Sequence, residues 1–157
     1  MQDFFYWISL AALMALLGWT VISDIRSRRI PNWLTLAVAG LAIVFWAAQP
    51  VPFPDMMGMQ LLLAIAVAVI FFPFWWLGWM GGGDWKLQAA LALWLPLAPL
   101  LEMFVWIAVV GFFVTLIAWG VHRRQRAKGP VRTPYGVAIA IGAAIVTGEP
   151  IINQFLA

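Results

Sequence analysis

Two aspartates, Asp24 and Asp84, have the surroundings that carboxylate chemistry needs. Asp24 closes an apolar run and precedes Arg26, Arg28 and Arg29. Asp84 follows Gly81, Gly82 and Gly83 and opens another apolar stretch. Two carboxylates brought together cannot both ionise easily, so one keeps a proton while the other is charged. The charged partner can take a proton from water, and the neutral one can polarise a peptide carbonyl. Such a pair hydrolyses an amide without a metal or a covalent intermediate. One of the two should then titrate well above the reference value of about 3.9.

Each aspartate also has a plainer reading. An aspartate that opens a helix is often only a cap, and Asp24 beside basic residues could form a surface ion pair. Other candidates are thinner. With no cysteine and one histidine, His122, the chain lacks disulfides, thiolate metal sites and the usual zinc ligand set. No metal or cofactor is expected. His122 reads as an interfacial residue. Lys86 could hold the charge state of the pair or anchor to headgroups. Gln88, one helical turn beyond Asp84, could line a polar cavity or bond a neighbouring helix.

The elements that must position these groups are set by an unusual composition. Apolar residues make up 65% and charged residues 10% of the 157 residues, against roughly 45–50% and about 25% in ordinary globular proteins. That leaves too little polar surface to cover a core in water, so the solvent is largely lipid. An all-α, polytopic membrane fold of one domain, residues 1–157, follows. A spanning helix needs about 20 apolar residues, and six segments qualify or come close: 4–23, 33–48, 57–79, 85–97, 101–121 and 134–155. The first has no basic flank and is too long for a signal peptide core, so it reads as a permanent span. Pro31 suits the first turn of the second, and Pro73 should kink the third. The fourth is short for a full crossing. Gly81, Gly82 and Gly83 would let the backbone adopt positive φ and approach a neighbour closely.

Charge placement orients the spans. With six crossings, the turns after spans one, three and five share one side and hold all nine basic residues. The positive-inside rule puts them in the cytosol and both termini on the extracytoplasmic side. Asp3, Asp55, Glu102 and Glu149 fall outside, and only Asp24 and Asp84 fall inside. If spans one and four are neighbours, these two can meet. Tryptophans gather near the span ends, Trp46 and Trp94 among the outer ones, as in an interfacial belt. The net charge of +3 therefore points to membrane lipids as partners, with no nucleic acid.

Three stretches resemble the type IV prepilin peptidases. Residues 24–35 match a first signature: Asp24, a short basic stretch, then Ile30-Pro31-Asn32 and Thr35. Residues 81–87 match the second, Gly-x-Gly-Asp followed by an apolar residue, Lys86 and Leu87. Residues 133–140, from Thr133 through Tyr135 and Gly136, resemble the opening of the last family helix. Trp85 departs from the aliphatic residue usual at its position and could alter a pocket wall. The resemblance implies an aspartyl endopeptidase of the bacterial inner membrane. It would cut basic leaders from prepilins or pseudopilins at the cytoplasmic face. Asp24 and Asp84 would be catalytic, and Gly81, Gly83, Lys86, Pro31 and Asn32 would bind substrate or shape the site. It also implies the short, peptidase-only form of the Flp or tight-adherence pilus systems, without methyltransfer. A small proton-coupled transporter or a non-catalytic pilus-assembly subunit are the alternatives. The oligomeric state is not legible.

Overall fold

The computed structural model describes residues 2–48, 55–125 and 133–156, which form six helices and, among these residues, no strand. They are α1 (Gln2–Ser27), α2 (Asn32–Ala47), α3 (Asp55–Trp76), α4 (Gly82–Leu91), α5 (Leu97–Arg124) and α6 (Tyr135–Leu156). Segment 49–54 and the basic residues Arg126, Lys128 and Arg132 lie outside the described residues. Helices α1, α3 and α5 are long and apolar enough to cross a bilayer, and the chain is an all-α membrane protein.

Local chemistry explains the boundaries. Helix α1 ends because Arg28 takes a left-handed φ of 53°, while its N–H still bonds the Asp24 carbonyl at 2.9 Å. This is the usual way to close a last turn. Pro31 then sits extended (ψ 144°) as the N-cap of α2, where its missing N–H costs nothing. Pro73 is carried inside α3, which runs on to Trp76. Pro99 is accepted in the first turn of α5, so that helix begins at Leu97 rather than at residue 101.

The fourth segment differs most from expectation. Its helix begins at Gly82, not residue 85, and stops at Leu91. Ten residues rise only about 15 Å, half of a core roughly 30 Å thick. Short turns through residues 92–95 carry the chain the rest of the way to α5. The carbonyls released there are met by a side chain: the Trp46 indole donates to Leu93 O at 2.8 Å. In return, the Trp94 indole donates to Val38 O of α2 at 3.0 Å. Both indoles are buried. Trp46 and Trp94 are therefore cross-links between α2 and the end of α4 and not members of a headgroup belt.

Helix α4 is the centre of the bundle, packed on α2, α3 and α6. Helix α1 packs on α2 and α6, and α5 lies along α6. The core is aliphatic, with Leu13, Leu34, Val38, Leu87, Leu91, Met103 and Ile139 fully buried. In lipid such contacts depend on close packing more than on solvent exclusion. At Gly142 of α6 a Cβ would lie 2.8 Å from Ile107 Cγ1 and 3.0 Å from its backbone nitrogen, so the bare glycine lets α5 and α6 touch. Outward faces carry Leu62, Val69, Phe112 and Ile117, which suits hydrocarbon. One end of the bundle gathers the ends of α1 and α5 with the starts of α4 and α6. The opposite end gathers Tyr6, Phe45, Trp94, Pro99 and Glu149.

Candidate active site

Asp24 lies in the last turns of α1 and is buried, 4% exposed. Its Oδ2 accepts the Val137 N–H at 3.2 Å. Val137 is in the first turn of α6, where backbone N–H groups lack partners within the helix. Asp24 thus caps α6 across 113 residues of sequence, in the positive field of that helix terminus. Gly136 makes this possible, because a Cβ there would stand 3.0 Å from Asp24 Oδ2 and 2.8 Å from Ile30 Cδ1.

Asp84 occupies the first turn of α4. Its side chain folds back over Gly81, whose Cβ would be 2.7 Å from Oδ2. The half-buried Asp84 carboxyl is pushed up to about 6, chiefly by burial and further by the charge of Asp24; a hydrogen bond from the Gly81 backbone opposes both. Each carboxylate therefore sits at a helix N-terminus, Asp24 at that of α6 and Asp84 at that of its own α4.

Ile30 is the wedge between the two. It is buried, and it touches both helix starts. A Cβ on Gly83 would lie 2.7 Å from Ile30 Cβ and 2.9 Å from its carbonyl oxygen. The glycines act through close approach and not through positive φ. Gly81 has φ −67°, and Gly78 is the glycine with positive φ among the described residues. Helices α1 and α4 are not primary neighbours; they meet through α2 and α6, on which both pack.

Asp24 and Asp84 line one cleft of about 840 Å³. Residues 27–30 form one wall, residues 78–83 another, and Thr133 and Tyr135 a third. That volume admits water and an extended stretch of peptide. An apolar groove of about 680 Å³ runs beside it between α1, α5 and α6, with His122 at its rim, and holds no carboxylate. Among the described residues, no three His, Cys, Asp or Glu side chains gather as metal ligands.

The remaining residues singled out in the sequence divide in two. Gly81 and Gly83 line the cleft with the aspartates. Pro31, Asn32 and Lys86 lie off it: Lys86 Nζ donates to Asn32 Oδ1 at 3.0 Å, fastening α4 to α2. Trp85 is turned away from the cleft. Its ring stacks on Trp75 (5.4 Å, 11°), and its indole donates to Ala68 O of α3 at 2.8 Å. That carbonyl adjoins the Val69 carbonyl, whose helical donor Pro73 removes. Gln88 is buried and off the cleft. Residues not singled out from their own chemistry are Ile30, Thr133 and Tyr135. Ile30 is an ordinary apolar residue in sequence, and only the family-like motifs mark all three.

A family model described as the type IV leader peptidase family matches residues 11–118, a range that includes both aspartates. The prepilin leader peptidase/N-methyltransferase of Pectobacterium carotovorum subsp. carotovorum is 32% identical over 149 residues, covering 87% of this chain and 49% of the relative. The chain spans about half the length of that curated relative. No solved structure matches it. By the extent of the family match, the chain belongs to the type IV leader peptidase family.

Proposed function

We propose that this protein is an aspartyl endopeptidase that cuts a basic leader from an apolar-helix precursor, a prepilin or pseudopilin, with Asp24 and Asp84 as its catalytic pair. The observation that carries the reading is the shared cleft. Two carboxylates from distant helices enter it, and burial and the charge of Asp24 push the Asp84 carboxyl up to about 6. Asp24, with a backbone N–H on one oxygen, suits the charged role. It takes a proton from a cleft water as the water oxygen attacks the peptide carbonyl carbon. Asp84, neutral, gives its proton to the developing oxyanion. Collapse of the tetrahedral intermediate then breaks the C–N bond as the amine receives a proton from the pair.

Topology follows from the same reading. The end that carries the aspartates faces the cytoplasm of a bacterial inner membrane, with six crossings and both termini outside. The basic residues support this, since in sequence all nine fall at or beside the breaks after spans one, three and five. A precursor with a basic leader and an apolar helix then presents its scissile bond at the level of the cleft. The N-methyltransferase activity in the name of the relative forms no part of the proposal.

The test is cleavage of a matched precursor by purified protein in lipid. Product should appear with the parent protein, and Asp24→Asn and Asp84→Asn should each lower its rate by at least about 10³-fold, since the pair acts as a unit. Cleavage that persists at the parent rate in either amide variant overturns the assignment.

A further inference from the structure

The catalytic cleft has a second mouth, on the lipid side. Helices α3 and α5 each join the bundle chiefly through one neighbour, α4 and α6 respectively. Where α3 and α5 face each other, the rings of Phe71 and Phe104 meet at 5.5 Å. Beyond that contact, toward the aspartates, lies an opening of about 400 Å³ between Phe74 and Thr115. It runs inward to Asp84 and shares Trp79, Met80, Gly81 and Tyr135 with the cleft. Phe74 and Trp79 at its rim are exposed. A path thus leads from the lipid-facing surface, past aromatic rings, to a candidate catalytic carboxylate.

We infer that this side opening between α3 and α5 is the portal through which the apolar helix of a precursor enters the site from the bilayer. The inference rests on the peptidase reading above and adds the route and the recognised part of the substrate. Three observations support it. The opening is continuous with the cleft and reaches Asp84, whereas the apolar groove between α1, α5 and α6 shares only Arg28 with the cleft and reaches neither aspartate. An apolar helix cannot cross the water-facing mouth without exposing its side chains, but it can slide between two lipid-facing helices. Finally, the aspartate end offers a basic leader little counter-charge. Of the six acids, Asp3, Asp55, Glu102 and Glu149 lie in segments assigned to the other end, leaving only the catalytic pair. Selection therefore falls on the apolar stem.

The chain has no cysteine, so thiol chemistry can be placed at will. A Phe71→Cys/Phe104→Cys protein in lipid vesicles is tethered with a reducible bis-maleimide and given full-length precursor. Tethering should slow cleavage roughly tenfold or more, as for other gated sites, and reductant should restore the rate of the untethered double variant. A tether across the apolar groove, Ile25→Cys/Ile117→Cys, should leave the rate unchanged. Unimpaired cleavage with Phe71 and Phe104 tethered overturns the portal while leaving the peptidase intact, as does loss of cleavage on the groove tether alone. Failure of the parent protein to cut any precursor overturns both readings. Should the double variant not fold, a photo-reactive residue at position 74 or 117 of the Asp84→Asn protein decides the matter. Adducts with precursor at 74 support the portal, and adducts only at 117 overturn it.

Discussion

At the aspartate end, α4 begins against Ile30 with no side chain on Gly83 to keep them apart. At the other end, the same helix finishes among the buried indoles of Trp46 and Trp94, each bonded to a carbonyl across the α2–α4 boundary. One end removes atoms so that backbone and carboxylates can crowd around a cleft. The other adds large rings so that a helix too short for the bilayer still closes without orphaned carbonyls. Phe45 against Trp94 (centroids 4.8 Å) and Tyr6 against Phe45 (5.5 Å) extend that seal. The contrast separates two kinds of residue: those whose change should alter chemistry, and those whose change should alter only stability.

The largest effect is expected where crowding is tightest. In Gly83→Ala the new methyl meets Ile30 Cβ at 2.7 Å and its carbonyl oxygen at 2.9 Å, and backbone cannot yield as a side-chain tip would. The start of α4 shifts and carries Asp84 with it. Precursor cleavage should fall at least about 10²-fold, because a misplacement of about 1 Å is enough for that, with a stability loss of about 1–3 kcal/mol from overpacking. Gly40→Ala in α2, where nothing lies within 4 Å, should do neither. Parent-like cleavage by Gly83→Ala would mean that close approach is not what this glycine provides.

A change of pH should act next most strongly, and only at the aspartate end. In the proposed mechanism Asp84 carries its proton to assist the carbonyl, and its carboxyl is pushed up to about 6 by burial and by Asp24. The protonated fraction is lost as pH rises through that value, so the cleavage rate should fall about tenfold per pH unit on the alkaline side. The raised pKa sets the sign: an ordinary aspartate would have lost its proton two units lower. A rate that stays flat from about pH 5 to 8, where proteins tend to be most stable, would show that Asp84 does not donate the proton.

Much of the aspartate end was legible from residues alone, and little of the indole end was. Apolar runs of near-spanning length located all six helices, because lipid forces backbone bonding within each segment. The charge partition brought Asp24 and Asp84 to one side through bookkeeping of turns alone. What the sequence could not reveal depends on contacts across the bundle. Nothing local says that Asp24 caps α6, since Val137 is 113 residues away. Glycine triplets suggest unusual φ, yet Gly81 is at −67°, and the missing Cβ atoms matter because Ile30 and Asp84 happen to press there. Trp46 and Trp94 match the composition of a headgroup belt, and only the early end of α4 at Leu91 turns them inward.

At the indole end, Trp94→Phe tests the seal. An aromatic ring remains against Phe45, which Trp94 meets in a tilted contact, but the donor to Val38 O (3.0 Å) is gone. A net loss of about 1 kcal/mol is expected, the usual worth of one such bond, read as a lower unfolding midpoint in mixed micelles. The cleavage rate at a temperature where both proteins are folded should be unchanged. A fall in rate without a fall in stability would join the two ends energetically and remove the distinction drawn between them.

The smallest effect is expected at Lys86, and it is the most discriminating because the residue stands two positions from Asp84 yet points elsewhere. Its Nζ reaches Asn32 Oδ1 at 3.0 Å on an exposed surface, so the contact ties α4 to α2 without lining the cleft. Exposed polar links contribute little, and Lys86→Met should cost less than about 1 kcal/mol. If the link only fastens two helices, Asn32→Ala should mimic it, and the double variant should cost no more than either single change. If instead the ammonium sets the charge state of the pair, Lys86→Met should displace the alkaline limb of the pH–rate profile while Asn32→Ala does not. The geometry favours fastening, because the lysine amine is directed to α2 and the cleft is lined without it. Superimposable pH profiles for the two single variants are therefore the expected result.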